Sequence, residues 1–361
     1  MRPLTGYFFE DYTLGQHFVH ATPRTITAGE VALYQALTGS RNPLHCSEPF
    51  AQSLGYPAMP VDDLLVFHIA FGKTVADISY NAVANLGYAD CRFIAPVFVG
   101  DTLRAETEII GLKENSSGKT GVVYVRSKAL NQRDELVLQW VRWVMVNRRE
   151  PRVDAGVLPP QGVLDFPDAV ATTALKIAPT LIRSADFARV SGSTRFLDDI
   201  AAPDISAFNL PATDIQFTPI THPSGITIDE TDHTLATKLY QNTARVHFDL
   251  HHMKDSRFGR RLVYGGHVMS MCRALAFDGL ENALSILAIN SGTHHNPVFA
   301  GDTIYAMSLP IVKWPINNDF GALRVQLFGY KNIDPHSDAF ASVPETAKVL
   351  SLDLTLLFPR R

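Results

Sequence analysis

An internal duplication constrains the fold of this chain most. The string Pro96-Val97-Phe98-Val99-Gly100-Asp101-Thr102-Leu103 returns 201 residues later as Pro297-Val298-Phe299-Ala300-Gly301-Asp302-Thr303-Ile304. A histidine before the first string, His45, returns as His247 at nearly the same spacing. Because landmarks far apart in the sequence share one spacing, the chain is predicted to contain two copies of one domain of about 150 residues.

The predicted boundaries place the first copy at residues 1–150 and the second at residues 186–361. Residues 151–185 are predicted to be a linker that crosses between the copies, because prolines cluster at its start. A segment rich in proline and threonine, Ala201–Ser224, is predicted to be a loop inserted in the second copy.

Each copy is predicted to hold an early strand, a helix, a long apolar helix and a run of antiparallel strands. Thr27 with Glu30, and Thr227 with Glu230, fit a capping box at the first helix of each copy. This order predicts an α+β fold in which a curved antiparallel sheet wraps a central helix. The strands are predicted at Thr102–Leu112, Thr120–Leu130, Glu135–Val146, Thr303–Val312, Ala322–Tyr330 and Lys348–Phe358.

One stretch of the second copy gathers polar groups ahead of an apolar helix. Asn242 and His247 lie on a loop-like segment, and a strand-like run, Arg261–Tyr264, follows. Gly265 and Gly266 then open the helix. A helix start without side-chain caps leaves N–H donors that can hold an oxygen on which negative charge develops.

The matching apolar helix of the first copy, residues 61–72, starts differently. It carries Asp62 and Asp63 in its first turn, where carboxylates satisfy the helix's own N–H donors and would repel an oxygen on which negative charge develops. The first copy is therefore predicted to be non-catalytic, and the second to be catalytic. His45 is interpreted as a remnant or a structural residue.

Composition excludes several classes of protein. The net charge of −4 argues against nucleic-acid binding. No apolar run approaches the roughly 20 residues of a membrane span. The three cysteines, Cys46, Cys91 and Cys272, form no C-x-x-C pair and are interpreted as buried thiols. With no apolar secretory segment at the N-terminus, these features predict a reduced, cytoplasmic setting without membrane attachment.

The string G-S-R-N-P-L-H, which ends at His45, resembles the MaoC-like, or hydratase 2, dehydratases. The P-V-x-x-G-D-T string of both copies is also typical of that family. The resemblance implies a tandem duplicated hotdog (double hotdog) fold. Hotdog proteins often assemble further, so the resemblance leaves a homo-oligomer open.

Within the family, the strings LYQNTARVHF, FGRRLVYGGH and FAGDTIYA are similar to the mesaconyl-CoA hydratase (β-methylmalyl-CoA dehydratase) branch. This similarity implies a hydro-lyase that reversibly hydrates mesaconyl-CoA (2-methylfumaryl-CoA) to β-methylmalyl-CoA. It implies no metal or organic cofactor. Hydration of another enoyl-CoA, a hotdog acyl-CoA thioesterase and a non-catalytic acyl-CoA binder are the alternatives.

The chain departs from the family's hydratase motif, D-x-N-P-x-H, in both copies. Ser40 stands at the aspartate position of the first copy, and Asn242 stands there in the second. We expect His247 to act as the general base, with Asn242 orienting the water or the imidazole. Asp249 is the nearest carboxylate that could assist, and it could instead cap a turn.

The predicted substrate-binding residues surround this stretch. Arg245 is favoured for the free carboxylate of mesaconyl-CoA, because arginine is the best planar partner for that group. Arg260 and Arg261 are candidates for the CoA phosphates. The thioester is expected at the helix start formed by Tyr264, Gly265 and Gly266.

Other histidines have simpler interpretations. His68 lies on an apolar helix face and is predicted to be a hydrogen-bonded core residue. The pairs His251-His252 and His294-His295 have no third ligand at metal-binding spacing, so no metal site is predicted. His294 or His295 could line the substrate tunnel.

Overall fold

The computed structural model describes residues 5–152, 159–166, 192–193, 195–203 and 217–361. These residues contain a 13-stranded sheet in which every pairing between neighbouring strands is antiparallel. The helices pack against this sheet, which confirms the predicted α+β architecture. The two copies contribute to one continuous sheet rather than to two separate ones.

The elements of the two copies follow the same order. The first copy contains β1 His17–Val19, β2 Arg24–Thr25, α1 Ala28–Thr38, α2 Pro43–Cys46, α3 Glu48–Ser53, α4 Asp63–Thr74, a π-helical turn Val75–Ser79, β3 Ala82–Phe93, β4 Thr102–Glu114, β5 Thr120–Leu130 and β6 Leu136–Asn147. After β7 Gln161–Gly162, the second copy contains β8 Ile220–Thr221, β9 Ile226–Thr227, α5 Glu230–Leu239, α6 Arg245–Phe248, α7 Leu250–Met253, α8 Gly265–Leu275, β10 Ile286–His294, β11 Thr303–Pro315, β12 Phe320–Lys331 and β13 Lys348–Pro359.

The two copies join at the middle of the sheet. The strand order is β1-β4-β5-β6-β3-β10-β13-β12-β11-β8. Strand β3 of the first copy pairs with β10 of the second, with Tyr88 opposite Gly292 and Cys91 opposite Ile289. Side chains at this junction can therefore reach from one copy into the other.

The central helices α4 and α8 meet at equivalent positions. His68 of α4 is fully buried, and its Nε2 lies 2.8 Å from the hydroxyl oxygen of Ser270 on α8. The Tyr34 hydroxyl, from α1, donates to the same Ser270 oxygen at 3.0 Å. The prediction that His68 is a hydrogen-bonded core histidine is confirmed.

Local sequence explains where the first helices begin. Thr27 and Glu30 form the predicted capping box at α1, with the Thr27 N–H donating to the Glu30 carboxylate at 2.8 Å. The matching prediction for the second copy is wrong. Asp229, and not Thr227, caps α5: its carboxylate accepts a hydrogen bond from the Thr231 N–H at 2.8 Å. Asp229 lies two residues after Thr227, and an aspartate caps a helix as well as a threonine does.

Three other predicted segments differ from the structure. The run Arg261–Tyr264 forms no strand, because single backbone hydrogen bonds rather than a ladder hold it. His247 lies on the short helix α6 and not on a loop. The predicted loop Ala201–Ser224 includes strand β8, and its residues 204–216 lie outside the described part.

The predicted linker is described only in part, at residues 151–152 and 159–166. There, Gln161–Gly162 pairs with β4 of the first copy. Cys46 is exposed rather than buried, because it ends α2 at the surface, whereas Cys91 and Cys272 are buried as predicted. No helix within the described ranges is long and apolar enough to cross a membrane.

Candidate active site

A backbone carbonyl fixes the imidazole of His247 on α6. Its Nδ1 lies 2.9 Å from the Leu262 carbonyl oxygen. Because a carbonyl oxygen only accepts, Nδ1 carries the proton and Nε2 keeps a lone pair. Burial, with a smaller contribution from His233, lowers the pKa of His247 to about 4, although the hydrogen bond to the Leu262 carbonyl opposes that shift. The ring is therefore neutral near pH 7, which is the state a general base needs.

Asn242 is buried just before α6. Its Oδ1 accepts a hydrogen bond from the Ala244 N–H at 3.3 Å. Among the described residues, none accepts a hydrogen bond from the Asn242 amide nitrogen. The amide group is thus held by its oxygen and keeps N–H donors for another partner.

The two central helices begin in different ways, as the sequence predicts. Asp62 caps α4 by accepting from the Leu64 N–H at 2.9 Å, and Asp63 follows in the first turn. Helix α8 begins at Gly265 after Tyr264, which makes no side-chain capping hydrogen bond, and its first turn has no acidic residue. Only α8 of the two therefore presents a helix start without a side-chain cap or a negative charge.

Aromatic rings border the start of α8. A β carbon on Gly265 would lie 2.5–2.8 Å from three atoms of the His294 ring, and one on Gly266 would lie 2.4 Å from Cζ of Tyr264. Both glycines are therefore required for these rings to approach the helix. The Tyr264 ring is buried, and its centroid lies 5.6 Å from that of His247. The structure thus brings together Tyr264, Gly265 and His247, which the sequence predicts to share one site.

Arg245 points towards the first copy. Its Nη2 donates to the Tyr80 hydroxyl oxygen at 3.2 Å, and its guanidinium lies 4.7 Å from the centroid of the Tyr80 ring. Within the described part of the chain, Arg245 forms no ion pair with a carboxylate. Its charge therefore remains available to an anionic ligand.

The other two predicted arginines differ in their contacts. The Arg260 guanidinium lies 3.9 Å from the centroid of the Phe299 ring. Arg261 pairs with the Glu230 carboxylate and also donates to the Thr234 hydroxyl oxygen at 2.9 Å. Arg261 is thus bound to side chains of α5, whereas the Arg260 guanidinium packs against an aromatic ring.

Asp249 lies between α6 and α7 and serves as a cap. Its carboxylate accepts a hydrogen bond from the His252 N–H at 3.0 Å. The described hydrogen bonds and ion pairs of Asp249 do not include His247. Of its two predicted roles, assisting His247 or capping a turn, Asp249 therefore shows the cap in the structure.

The first copy holds a polar cleft that sequence reasoning did not predict. The cleft is small, with a cavity volume of about 10 Å³, and lies between the copies. Polar residues of the first copy form one wall, and Arg273 of α8 contributes a guanidinium from the other side. The polar residues of the first copy that line it are Ser40, Arg41, Asn42, His45, Asp62 and Asp63.

His45 and Asp63 face each other in this cleft. His45 donates from Nδ1 to the Pro60 carbonyl oxygen at 3.1 Å, and its Nε2 lies 3.8 Å from Oδ2 of Asp63. Burial raises the pKa of Asp63 to about 6, although His45 and the Ile286 N–H oppose that shift. The sequence signal for this pair is Asp63 at the position that matches Gly265, which by itself indicates only a closed helix start.

No group of three or more histidine, cysteine, aspartate or glutamate side chains is positioned to hold a metal ion in the described part of the chain. His294 and His295 have separate partners. Nε2 of His294 lies 3.2 Å from the Tyr88 hydroxyl oxygen, and Nε2 of His295 lies 2.8 Å from that of Ser351. Of these two histidines, the structure places His294 at the start of α8.

Comparison with known proteins identifies the family. The profile of the MaoC like domain matches residues 10–132. The chain is 52% identical to a β-methylmalyl-CoA dehydratase of Chloroflexus aurantiacus, over 99% of this chain and 98% of that protein. It is 45% identical to a mesaconyl-CoA hydratase of Cereibacter sphaeroides, over the full length of both.

Solved structures agree with this result. A putative MaoC domain protein dehydratase from Chloroflexus aurantiacus is 50% identical, with a TM-score of 0.89 over 100% of this chain and 99% of that one. A Mycobacterium tuberculosis protein described as a double hotdog fold is 26% identical, with a TM-score of 0.72 over 99% of both chains. The chain belongs to the MaoC-like dehydratase family and has its double hotdog fold.

Proposed function

We propose that this protein is a hydro-lyase that reversibly hydrates mesaconyl-CoA to β-methylmalyl-CoA. Two relatives that match it over nearly their whole length carry the names of this reaction. The observation that carries the proposal is the arrangement in the second copy. A neutral histidine with a fixed tautomer, His247, lies beside a helix start that no side chain caps, at Gly265.

The thioester oxygen is proposed to lie at the start of α8. The N–H groups of Gly265 and Gly266 donate to it, and the positive end of the helix stabilises the enolate that forms. Stabilisation of this kind typically contributes about 3–4 kcal/mol for each donor. In the first copy the matching position holds a carboxylate, Asp63, which would oppose the same negative charge.

His247 is proposed to carry the proton. In hydration, its Nε2 takes a proton from water while the hydroxyl oxygen bonds to the β carbon of the substrate. The protonated imidazole then gives a proton to the α carbon of the enolate, which restores the neutral ring. Asn242 cannot exchange protons near pH 7, and its amide N–H donors orient the water.

Recognition of the substrate is proposed to rest on arginine. Arg245, which has no ion-pair partner among the described residues, binds the free carboxylate of mesaconyl-CoA. Arg260 is the better placed candidate for a CoA phosphate, because Arg261 is already paired with Glu230. We propose a cytoplasmic location for the enzyme. Light scattering by the purified protein measures whether it forms a homo-oligomer.

The cleft of the first copy is a second candidate site for the same reaction. The specific observation in its favour is the pair formed by His45 and Asp63, in which an acid of raised pKa faces an imidazole. It lacks uncapped N–H donors at the helix start, since Asp62 caps α4. We therefore place the chemistry in the second copy.

An absorbance assay tests the proposed reaction. The purified protein is incubated with mesaconyl-CoA, and separately with crotonyl-CoA, in the presence and absence of a thiol reagent. Loss of the enoyl-thioester signal with mesaconyl-CoA and no thiol release is the expected result. Activity on crotonyl-CoA alone would contradict the substrate, whereas released thiol would indicate a thioesterase.

A further inference from the structure

The imidazole at the start of α8 is specific to the second copy. His294 ends strand β10, and its Cε1, Nδ1 and Nε2 lie 2.5, 2.6 and 2.8 Å from where a β carbon on Gly265 would stand. The matching positions in the first copy are Phe93 and Asp63. The second copy therefore combines a glycine and a histidine where the first combines a carboxylate and a phenyl ring.

Tyr88 holds the His294 ring from the other copy. Its hydroxyl oxygen lies 3.2 Å from Nε2 of His294, and the two rings meet edge to face with centroids 5.6 Å apart. Burial raises the pKa of Tyr88, so the hydroxyl keeps its proton and can donate a hydrogen bond to Nε2. With Nε2 as the acceptor, the ring proton lies on Nδ1, the atom that lies 2.6 Å from where a β carbon on Gly265 would stand.

The surroundings keep the His294 ring neutral. Burial, together with His247 and His295, lowers its pKa to about 4. The titratable groups that interact with it are Tyr88 from β3, His247 from α6, His68 from α4 and His295 on its own strand, and none is a carboxylate. The positive end of α8 acts in the same direction. A neutral imidazole of this kind can donate a hydrogen bond without giving up its proton.

We propose that His294 is a catalytic residue of the second copy and donates a hydrogen bond from Nδ1 to the thioester oxygen, beside the N–H groups of Gly265 and Gly266. This inference rests on the proposed hydration of an enoyl-CoA. Tyr88 is a positioning residue that selects the tautomer of His294. No proton is transferred by His294, so His247 and water still account for every proton of the reaction.

The test compares variants of His294 in the absorbance assay with mesaconyl-CoA. His294→Phe introduces the residue of the first copy and removes the donor, so kcat should fall about 100-fold to 1,000-fold while KM changes little. His294→Asn keeps an N–H donor near the position of Nδ1 and should stay within about tenfold of the wild type in kcat. Tyr88→Phe, which frees the tautomer, should lower kcat about tenfold.

The neighbouring histidine provides the matched control. His295 is exposed and its Nε2 bonds to the Ser351 hydroxyl, so His295→Phe should leave kcat within about twofold of the wild type. Thermal unfolding of each variant separates a lost donor from a lost fold. If His294→Asn is as slow as His294→Phe while both are folded, the donor role is wrong. Normal turnover by His294→Phe would also overturn it.

A spectroscopic measurement tests the hydrogen bond without turnover. Mesaconyl-CoA is bound to His247→Ala and to the double variant His247→Ala/His294→Phe, and the thioester carbonyl stretch is recorded. The shift to lower frequency on binding should be smaller in the double variant, and equal shifts would contradict the inference. If the wild type does not hydrate any enoyl-CoA, the proposed function fails. If the wild type hydrates an enoyl-CoA and the His294 variants are equally active, only the inference about His294 fails.

Discussion

Gly265→Ala is the substitution for which the structure makes the sharpest prediction. Gly265 is the first residue of α8 and does not have a positive φ. Helix propensity alone would therefore favour alanine, by at most about 1 kcal/mol. The new β carbon, however, would lie 2.5–2.8 Å from three atoms of the His294 ring. Carbon atoms pack at about 3.5–4.0 Å, so the ring must move by about 1 Å.

The expected magnitude follows from this displacement. Forcing an extra methyl group into a packed site costs about 1–3 kcal/mol. After the gain in helix propensity, Gly265→Ala should lower the free energy of unfolding by about 1–2 kcal/mol. A displacement of about 1 Å at the thioester site should also lower kcat/KM for mesaconyl-CoA about 100-fold.

Urea unfolding and the mesaconyl-CoA absorbance assay measure the two effects. Gly29→Ala is the matched control, because a β carbon there would meet only the Thr27 hydroxyl oxygen, at 3.9 Å, among atoms within 4 Å. It should leave activity unchanged and stability equal or higher. Adding His294→Ala to Gly265→Ala removes the clash and should restore part of the lost stability. Wild-type stability in Gly265→Ala, or no recovery in the double variant, would refute the steric reasoning.

The remaining predictions concern recognition and pH. Arg245→Ala should raise KM far more for mesaconyl-CoA than for crotonyl-CoA, whereas Arg260→Ala should raise the two KM values equally. Steady-state kinetics on both substrates measures these effects. Equal effects of Arg245→Ala on the two substrates would show that Arg245 does not bind the carboxylate. His222, His233 and His267 are buried, and burial lowers the pKa of each to about 4. In the unfolded chain these histidines have ordinary pKa values of about 6.5, so between pH 4 and 6.5 the unfolded chain binds more protons than the folded one. The free energy of unfolding should therefore fall as the pH drops from about 6.5 to 4, by up to about 1.4 kcal/mol per pH unit for each histidine. Urea unfolding at pH 7.5 and pH 5 measures this, and equal free energies of unfolding would contradict it.

Repetition and periodicity in the sequence account for most of the fold. Thr120–Leu130 was predicted with the bounds that the structure has, because its strand character is local. The run Arg261–Tyr264 has the same local character, yet it pairs with no strand among the described residues. The capping box at Thr227 failed because Asp229, two residues later, competes for the same helix start.

The candidate site could be predicted only where it is local in sequence. His247 and Gly265 are neighbours in one stretch, and their features follow from residue type. The contact between Tyr88 and His294 joins residues 206 positions apart and depends on the pairing of β3 with β10. The approach of Asp63 to His45 depends on how α2 is placed beside the start of α4. Neither arrangement follows from spacing.

The measurement that tests the central claim most directly compares His247→Ala with His45→Ala for hydration of mesaconyl-CoA. These residues occupy equivalent positions, and each donates from Nδ1 to a backbone carbonyl oxygen. Truncation of either one should therefore disturb the fold to a similar extent. If the second copy performs the chemistry, His247→Ala loses several orders of magnitude in kcat while His45→Ala stays within about tenfold of the wild type. The opposite pattern would contradict this account and place the reaction in the cleft of His45 and Asp63.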